Sequence, residues 1–240
     1  MNLAIDFGNT RIKAAVFKNN SIQGEAVFFS PSELLNSQLL AGVKNCIICS
    51  VTSFHVGVME QLSDKMHLLL FKPDTAVPLK NLYKSALTLG SDRLAAATGS
   101  YLIYPDEDVL TIDAGTCIKY NFVNRSNEYL GGAISPGVSM RLQAMNHFTQ
   151  RLPLVEPQSG YFKLTGESTV ESLLTGAIVG AACEADAMIN RYREKYPSLR
   201  VVITGGDAPY LSGQLKNSFF AQQNVLLQGL NAILNYNLEK

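Results

Sequence analysis

Hydrophobic and polar residues along the first hundred positions alternate in a pattern that predicts an α/β fold. Short apolar runs that end at glycine, proline or polar clusters predict strands at NLAIDFGN, RIKAAVFKN, SIQGEAVFF, NCIICSV and HLLLFKP. Apolar residues at helical spacing predict helices in SPSELLNSQLL, in FHVGVMEQLSDKM and in the second half of NLYKSALTLGSDRLAAATGSYLIYP. Gly24 indicates a bulge or weak point in the third strand, and Ser30 or Ser32 is the predicted cap of the first helix.

The pattern begins again after the polar stretch PDED at residues 105–108. Strands are predicted at DVLTIDAGT, CIKYNFVN, EYLGGAIS and RVVITGGD. Helices are predicted at SPGVSMRLQAMNHFTQRL and at STVESLLTGAIVGAACEADAMINRYREKY, the second interrupted near Gly176 or Gly180. NVLLQGLNAILNYNLEK is predicted to form a short strand and a helix.

An internal repeat links the two halves of the chain. IDFGNTRIKAAVF and IDAGTCIKYNFV share I-D-x-G, a threonine and I-K, and each predicts a strand, an acidic glycine turn and a returning strand. One repeat at about half the chain length indicates duplicated domains and not a solenoid. The predicted domains are residues 1–107 and 108–240, divided where proline and charge interrupt the apolar pattern between Pro105 and Asp108.

Composition narrows the class of protein. Hydrophobic residues make up 47% of the 240 residues, enough to bury a sizeable core. Lys+Arg and Asp+Glu both number 20, so the net charge is zero, whereas a nucleic-acid-binding protein usually carries a basic excess. No apolar run approaches the ~20 residues of a membrane span. We therefore expect a cytoplasmic protein that binds neither nucleic acid nor membrane.

Four cysteines raise the possibility of a metal or redox site. Cys46 and Cys49 form a C-x-x-C motif. Their run predicts a buried strand, in which positions i and i+3 point to opposite faces, and no second C-x-x-C or pair of histidines completes a zinc site in the sequence. We predict that these two cysteines, together with Cys117 and Cys183, are core thiols in a reducing compartment.

The repeated turn has the chemistry of a phosphate site. Glycine lets the backbone approach an anion closely, threonine or asparagine adds donors, and lysine adds a positive charge. An aspartate at the end of a strand can hold Mg²⁺. D-G and G-N turns are also ordinary hairpin sequences, but two copies in register favour a functional role. The chain has neither G-x-x-x-x-G-K-[ST] nor G-x-G-x-x-G, which argues against P-loop and Rossmann nucleotide binding.

Five motifs together carry a resemblance to a known family. They are D-x-G-N-T-x-x-K at residues 6–13, Asn81-x-Tyr83, LGSDR at 89–93, DAGT at 113–116 and GGAISPG at 131–137. In order and spacing they resemble the type III pantothenate kinases, within the acetate and sugar kinase, hexokinase and actin superfamily, over nearly the whole chain. One departure is Ala86, where proline is common in this family.

The resemblance implies two duplicated ribonuclease-H-like domains with an interdomain nucleotide cleft, and a homodimer. It implies ATP-dependent phosphorylation of pantothenate to 4'-phosphopantothenate, the first step of coenzyme A biosynthesis. The implied cofactors are ATP, Mg²⁺ and a monovalent cation, K⁺ or NH₄⁺.

The resemblance also implies roles for individual residues. Those implied to contact ATP are Asp6, Phe7, Gly8, Asn9, Thr10, Arg11, Ile12, Lys13 and Thr116. By the same resemblance, Asp6 is expected at the Mg²⁺ end of the nucleotide, Asp113 as the ligand of the monovalent cation, and Asp92 as the general base. Those implied to form the pantothenate pocket are Tyr83, Gly90, Ser91, Asp92, Arg93 and Thr169.

Elementary chemistry agrees with these roles but leaves alternatives open. Asp92 can accept the hydroxyl proton and Arg93 can pair with a carboxylate or phosphate, or the two form a helix-start carboxylate and a solvated arginine. Tyr83 is either an aromatic wall or a core residue, and Thr169 is a substrate contact or a first-turn residue. The TGGD loop at 204–207 either lies near the adenosine or is a plain turn capped by Asp207.

Two lysines and two other functions also stay open. Lys13 and Lys119 either bind phosphate or lie on solvated strand faces. A non-catalytic transcription accessory regulator on the same fold is the alternative function, although retention of Asp6 and Asp92 speaks against it. An actin-like assembly ATPase is a third possibility, which the short chain and the LGSDR motif disfavour.

Overall fold

The computed structural model describes residues 1–8, 11–50 and 56–240. These form two compact units. Unit 1 comprises Met1–Pro105, Ser126–Leu130 and Asn224–Lys240, and unit 2 comprises Asp106–Arg125 and Gly131–Gln223. The chain first changes unit close to the boundary predicted at 107/108. The observed division differs from the predicted one because Ser126–Leu130 and the last segment, Asn224–Lys240, belong to unit 1.

The secondary structure has eleven strands and eight α-helices within the described ranges. The strands are β1 (Asn2–Phe7), β2 (Ile12–Lys18), β3 (Ser21–Phe28), β4 (Asn45–Ser50), β5 (His67–Leu70), β6 (Lys80–Asn81), β7 (Val109–Ala114), β8 (Cys117–Asn124), β9 (Glu128–Pro136), β10 (Arg200–Thr204) and β11 (Phe220–Ala221). The helices are α1 (Pro31–Leu35), α2 (Val56–Ser63), α3 (Ser91–Ile103), α4 (Val138–His147), α5 (Thr169–Leu174), α6 (Gly180–Lys195), α7 (Ala208–Ser212) and α8 (Val225–Leu238).

The two sheets share one strand order. The first runs β3-β2-β1-β4-β5, and the second runs β11-β10-β7-β8-β9-β6. Reversed and without β6, the second order corresponds strand by strand to the first. In each sheet the opening hairpin is antiparallel, and the next strands, β4 and β5 or β10 and β11, add in parallel. The predicted α/β fold with duplicated domains is confirmed.

Unit 1 buries its sheet between helices. Leu34 of α1 and Val58 and Leu62 of α2 pack in one core cluster with strand residues such as Ile5 and Ile48. Helix α8 contacts β1, β2 and β4, and it also packs along α3. A Cβ atom added at Gly99 of α3 would lie 2.0 Å from the Val225 carbonyl oxygen, so glycine is what allows these two helices to approach so closely.

Unit 2 buries the longest helical stretch of the chain. Thr169–Lys195 is long and apolar enough to cross a membrane by length and composition, which the prediction from apolar runs did not foresee. Leu174, Ala177, Ile178 and Ala181, however, are buried in the core of unit 2. A core helix passes the same composition test, so this stretch is weak evidence for a span.

Three predictions of local structure are confirmed. The register of β2 and β3 shifts between Val16 and Phe17, beside Gly24, which confirms the predicted bulge. The Ser30 hydroxyl accepts a hydrogen bond from the Glu33 amide at 3.3 Å, which makes Ser30 the cap of α1. A π-helical turn at Thr175–Val179 interrupts the long helix, as predicted near Gly176.

Other local predictions were wrong. NVLL at 224–227 is not a strand, because Val225 and the buried apolar residues that follow it at helical spacing form α8. Cys46 and Cys49 are buried, but Cys117 is only partly buried and Cys183 is exposed. Cys183 follows the buried Ala182 on α6 and falls on the outer side of that helix. The two-residue strands β6 and β11 are too short to leave a periodic signal.

Candidate active site

The β1–β2 hairpin of unit 1 carries most of the predicted ATP contacts. The Gly8 amide donates to the Arg11 carbonyl at 3.1 Å across the turn. Asp6 and Lys13 are directly opposite each other in the register. Phe7 and Ile12 belong to the core cluster of unit 1, so only their backbone is available to a ligand. Asn9 and Thr10 lie outside the described residues.

Two cationic side chains of this hairpin remain accessible. The Arg11 guanidinium is exposed and lies 5.9 Å from the centre of the Phe29 ring. Lys13 is partly buried and makes no ion pair with any residue in the described ranges. Both can therefore turn towards an anion without breaking an ion pair to any residue that the structure describes.

The β7–β8 hairpin of unit 2 has the same order of aspartate, glycine turn and lysine, but here the lysine is paired with the aspartate. The Gly115 amide donates to the Cys117 carbonyl at 3.1 Å, and Thr116 is exposed at the turn. Asp113 and Lys119 are directly opposite each other, as Asp6 and Lys13 are. Here, however, the lysine ammonium lies 2.9 Å from Asp113 Oδ2 and forms an ion pair with it.

Two glycines support the β7–β8 turn from outside the hairpin. The Gly137 amide donates to the Thr116 carbonyl at 3.1 Å, and a Cβ atom at Gly137 would lie 2.0 Å from the Gly115 carbonyl oxygen. Gly205 has a φ of 98°, and a Cβ atom there would lie 2.1 Å from the Ala114 carbonyl oxygen. The GGAISPG and TGGD motifs therefore meet at this turn, and a side chain at either glycine would push the turn away.

Asp207 lies beside the same turn. Its amide donates to the Ala114 carbonyl at 2.9 Å. It occupies the N-cap position of α7, but its side chain makes no capping hydrogen bond. Burial, and then the negative charge of Asp113, raise the pKa of Asp207. Asp207 is thus part of the surroundings of Asp113, which the simple capping interpretation did not include.

The start of α3 in unit 1 brings together five of the six residues predicted to bind substrate. Asp92 and Arg93 are only 7% and 5% exposed. A Cβ atom at Gly90 would lie 2.5 Å from Asp92 Oδ1, so the carboxylate folds back over the glycine at the N-terminus of the helix. The Arg93 guanidinium lies 5.6 Å from the centre of the Tyr83 ring. The interpretation of Arg93 as a solvated arginine is therefore wrong.

A cavity of about 280 Å³ opens next to this helix start. Its lining residues are Ser50, Phe71, Lys72, Pro73, Leu89, Gly90 and Ser91. Ser91 also forms a hydrogen bond with Cys49, with 3.1 Å between Oγ and Sγ. The cavity lies where the parallel strands β4 and β5 end, the usual place for ligands in α/β sheets. Ala86, the position at which the family resemblance led us to expect proline, begins a short 3₁₀ turn, Ala86–Thr88, ahead of α3.

Thr169 is not grouped with the other predicted substrate residues in unit 1. It is the exposed first residue of α5 in unit 2. Ser168 is the cap, because its hydroxyl accepts a hydrogen bond from the Glu171 amide at 3.2 Å. Thr169 is thus a first-turn residue whose side chain is accessible.

The sequence did not predict a polar network that lies in unit 2. Arg141 of α4 donates to the Pro136 carbonyl at 2.9 Å, to the Ser135 hydroxyl at 3.0 Å, and to the Glu184 carboxylate. The Tyr120 hydroxyl donates to Glu184 at 3.1 Å. The network fixes the segment that leads into Gly137. No single sequence motif indicates this network, because its residues lie on four different elements.

The same network sets the charge state of its acid. Burial opposes ionisation of Glu184, but hydrogen bonds from Ser135 and Arg141 and the arginine charge outweigh it and lower the pKa of Glu184. Burial, together with the Glu184 charge, raises the pKa of the Tyr120 hydroxyl. The network therefore contains an ionised carboxylate and a neutral phenol at neutral pH.

Comparison with known proteins gives a consistent family. A sequence model of the type III pantothenate kinases matches residues 2–191. A type III pantothenate kinase of Christiangramia forsetii is 43% identical over 241 residues, covering 99% of both chains. The match extends over all five motifs found in the sequence.

Solved structures resemble the chain in fold. One from Campylobacter jejuni, provisionally described as a Baf family transcriptional activator, has a TM-score of 0.65 at 19% identity and covers 99% of this chain and 100% of its own. A ROK family glucokinase from Streptomyces griseus has a TM-score of 0.54 at 12% identity and covers 100% and 99%. At these identities the likeness concerns the fold alone.

Proposed function

The chain belongs to the type III pantothenate kinase family, and on that premise we propose that it transfers the γ-phosphoryl group of ATP to the primary hydroxyl of pantothenate. The product is 4'-phosphopantothenate, and the reaction is the first step of coenzyme A biosynthesis. The observation that carries the proposal is the buried Asp92 carboxylate at the start of α3, beside a cavity lined by Gly90 and Ser91. A base so placed suits an alcohol acceptor.

Asp92 is the proposed general base. It accepts the proton of the pantothenate hydroxyl as that oxygen attacks the γ-phosphorus. Arg93, held against Tyr83, binds an anionic group, either the pantothenate carboxylate or a phosphate. Gly90 and Ser91 line the pocket, and Thr169 supplies a hydroxyl to the same substrate. These assignments make the start of α3 the acceptor side of the reaction.

The β1–β2 hairpin is the proposed phosphate side. Gly8, Arg11 and Lys13 contact ATP directly, as do Asn9 and Thr10, whereas Phe7 and Ile12 contribute backbone groups only. Asp6, one residue before the end of β1, offers the kind of oxygen donor that Mg²⁺ takes, and the bound ion would neutralise phosphate charge. Thr116 of the second hairpin contacts the nucleotide as well.

Three further assignments rest on the family resemblance. The resemblance assigns a single positive charge beside Asp113 to a bound monovalent cation, K⁺ or NH₄⁺. The protein acts as a homodimer in the cytoplasm, and it has no nucleic-acid or membrane partner.

A direct assay tests the proposed reaction. Incubation with ATP, Mg²⁺, K⁺ and pantothenate should give ADP and a product with the mass of 4'-phosphopantothenate. Asp92→Asn should lower kcat by roughly 10³-fold while calorimetry still detects ATP binding. Asp64→Asn, the same change at an exposed carboxylate of unit 1, is the matched control and should keep full turnover. A folded protein that gives no product, with or without K⁺, would favour the regulator instead.

A further inference from the structure

The ion pair in the β7–β8 hairpin bears on the monovalent charge proposed at Asp113. Lys119 and Asp113 are opposite each other on adjacent antiparallel strands, and Lys119 Nζ lies 2.9 Å from Asp113 Oδ2. Their side chains are only 23% and 14% exposed. The carboxylate oxygen that a monovalent cation would use therefore already accepts a hydrogen bond from a cation of the chain itself.

A second cross-strand pair shows that this arrangement is not an ordinary surface ion pair. Lys80 and Glu128 are also opposite each other, and their charged atoms lie 2.7 Å apart. The Lys80 side chain, however, is 65% exposed. An exposed pair of this kind contributes little, whereas a partly buried pair is weakly screened by water and salt. Lys119 is thus held where its charge acts on its surroundings.

Chemistry makes a lysine a suitable substitute for the ions that the resemblance names. K⁺ and NH₄⁺ replace one another in protein sites because they have the same charge and similar size. A lysine side chain ends in an ammonium group, a compact single positive charge with three donors. Lys119 therefore places next to Asp113 the same charge and the same kind of hydrogen-bond donors as a free ammonium ion, and its side chain keeps them there.

The negative charge of Asp113 already has a cationic partner within its own hairpin. Asp113 itself is balanced by Lys119. The donor set in unit 2 thus fits a tethered ammonium better than a free ion.

We propose that the Lys119 ammonium takes the place of the monovalent cation, so that phosphoryl transfer by this protein is independent of K⁺ and NH₄⁺. The proposal rests on the proposed kinase function and specifies its cation requirement. Lys119 acts as a positioning residue, because it fixes Asp113 and the adjoining Thr116 turn through that carboxylate.

The test compares salts at constant ionic strength. Turnover, ATP affinity by calorimetry and the melting temperature are measured in choline, potassium and ammonium chloride, with Mg²⁺ present and ATP supplied as a Tris salt. For the wild type we expect each quantity to be the same in the three salts, with kcat/KM for ATP varying by less than about twofold. For Lys119→Met we expect a dependence on K⁺ or NH₄⁺ of roughly tenfold or more in kcat/KM for ATP. The melting temperature of this variant should also rise in those salts without substrate.

Matched variants separate the charge of Lys119 from its packing. Lys80→Met removes the exposed cross-strand pair and should leave the salt response unchanged. Lys119→Arg keeps the charge and should stay independent of K⁺. If Lys119→Met has no turnover in choline chloride, addition of ammonium or methylammonium should restore it.

Several outcomes would overturn the proposal. Strict K⁺ dependence of the wild type would do so, as would a Lys119→Met variant that ignores all three salts. A folded Lys119→Met variant that stays inactive in every salt would show that the lysine does not act as a replaceable cation. Absence of wild-type turnover in every salt would instead reject the kinase function itself. In that case the salt response of ATP affinity and melting temperature still decides the role of Lys119.

Discussion

The β1–β2 and β7–β8 hairpins have the same strand arrangement, but their charged side chains pair differently. Each places an aspartate opposite a lysine one strand away, Asp6 opposite Lys13 and Asp113 opposite Lys119. Only the second lysine forms an ion pair within the described residues. The turn of the second hairpin is also shorter, because strands β1 and β2 pair up to Phe7 and Ile12 whereas β7 and β8 pair up to Ala114 and Ile118.

This difference shows how a duplicated scaffold can divide its functions. A lysine that is paired with its own carboxylate has little charge left for a phosphate, whereas Lys13 keeps its charge available. Gly137 and Gly205 pack closely against the second turn, which suits the fixed nucleotide contact proposed for Thr116. We therefore expect the first hairpin to bind phosphate and Mg²⁺ and the second to position the nucleotide.

Replacement of the two aspartates should show this division most strongly. Asp6→Asn should lower kcat by roughly 10²–10³-fold, because it removes the proposed Mg²⁺ ligand from the phosphate side. Asp113→Asn should cost less, about tenfold, because it disturbs only the position of the turn. Steady-state kinetics over a series of Mg²⁺ concentrations measures both. Equal losses in the two variants would contradict the division.

The two lysines should differ in how they affect nucleotide affinity. Lys13→Met should weaken ATP binding by roughly 10- to 100-fold, because a charge-assisted hydrogen bond to phosphate is lost. Lys119→Met, measured with saturating K⁺, should weaken it by less than about threefold, since the ion replaces the ammonium. Isothermal titration calorimetry gives both values. An unchanged affinity in Lys13→Met would place this lysine on a solvated strand face.

The two turns should respond differently to an added methyl group. Gly137→Ala would place Cβ 2.0 Å from the Gly115 carbonyl oxygen, and we expect a loss of about 2–3 kcal/mol in the free energy of unfolding. Gly8→Ala meets its nearest atom, the Arg11 carbonyl oxygen, at 3.1 Å, so a loss of about 1 kcal/mol or less is expected. Denaturant midpoints test the difference, and a larger loss at Gly8 would contradict it.

The smallest expected effect concerns Asp207 and pH. Its pKa is raised in the folded state, so the folded protein binds this proton more tightly than the unfolded chain and loses stability as pH rises through that pKa. Asp207→Asn should therefore raise the melting temperature modestly at pH near 7. The gain should vanish below the ordinary aspartate pKa of about 4. A gain that is independent of pH would show that the carboxylate charge is not its cause.

The repeat made the fold predictable from the sequence. Because β1–β2 and β7–β8 both carry the apolar run, the acid and the glycine, the duplicated hairpins could be placed from the residue pattern alone. The motifs around Asp92 likewise identified the family. Short elements such as β6 left no signal, and the run at Val225 resembled a strand, whereas its packing against Gly99 fixes it as helix.

What the sequence could not show was which charges meet. Lys119 lies six residues after Asp113, and only the antiparallel register brings their side chains together. Arg141 and Glu184 are separated by more than forty residues, and their contact depends on how α4 and α6 pack. Contacts of this kind depend on tertiary structure, so sequence patterns of helix or strand period do not contain them.

The return of the chain into unit 1 has a consequence for protein synthesis. Helix α3, which carries Asp92 in its first turn, packs along α8 through Gly99 and Gly229, where an added Cβ atom would lie 2.0 Å and 1.9 Å from a backbone oxygen of the facing helix. A ribosome must translate all of unit 2 before α8 exists. A nascent chain that has reached only Gln223 therefore holds α3 with one apolar side uncovered, and the half of the protein made first is the half completed last.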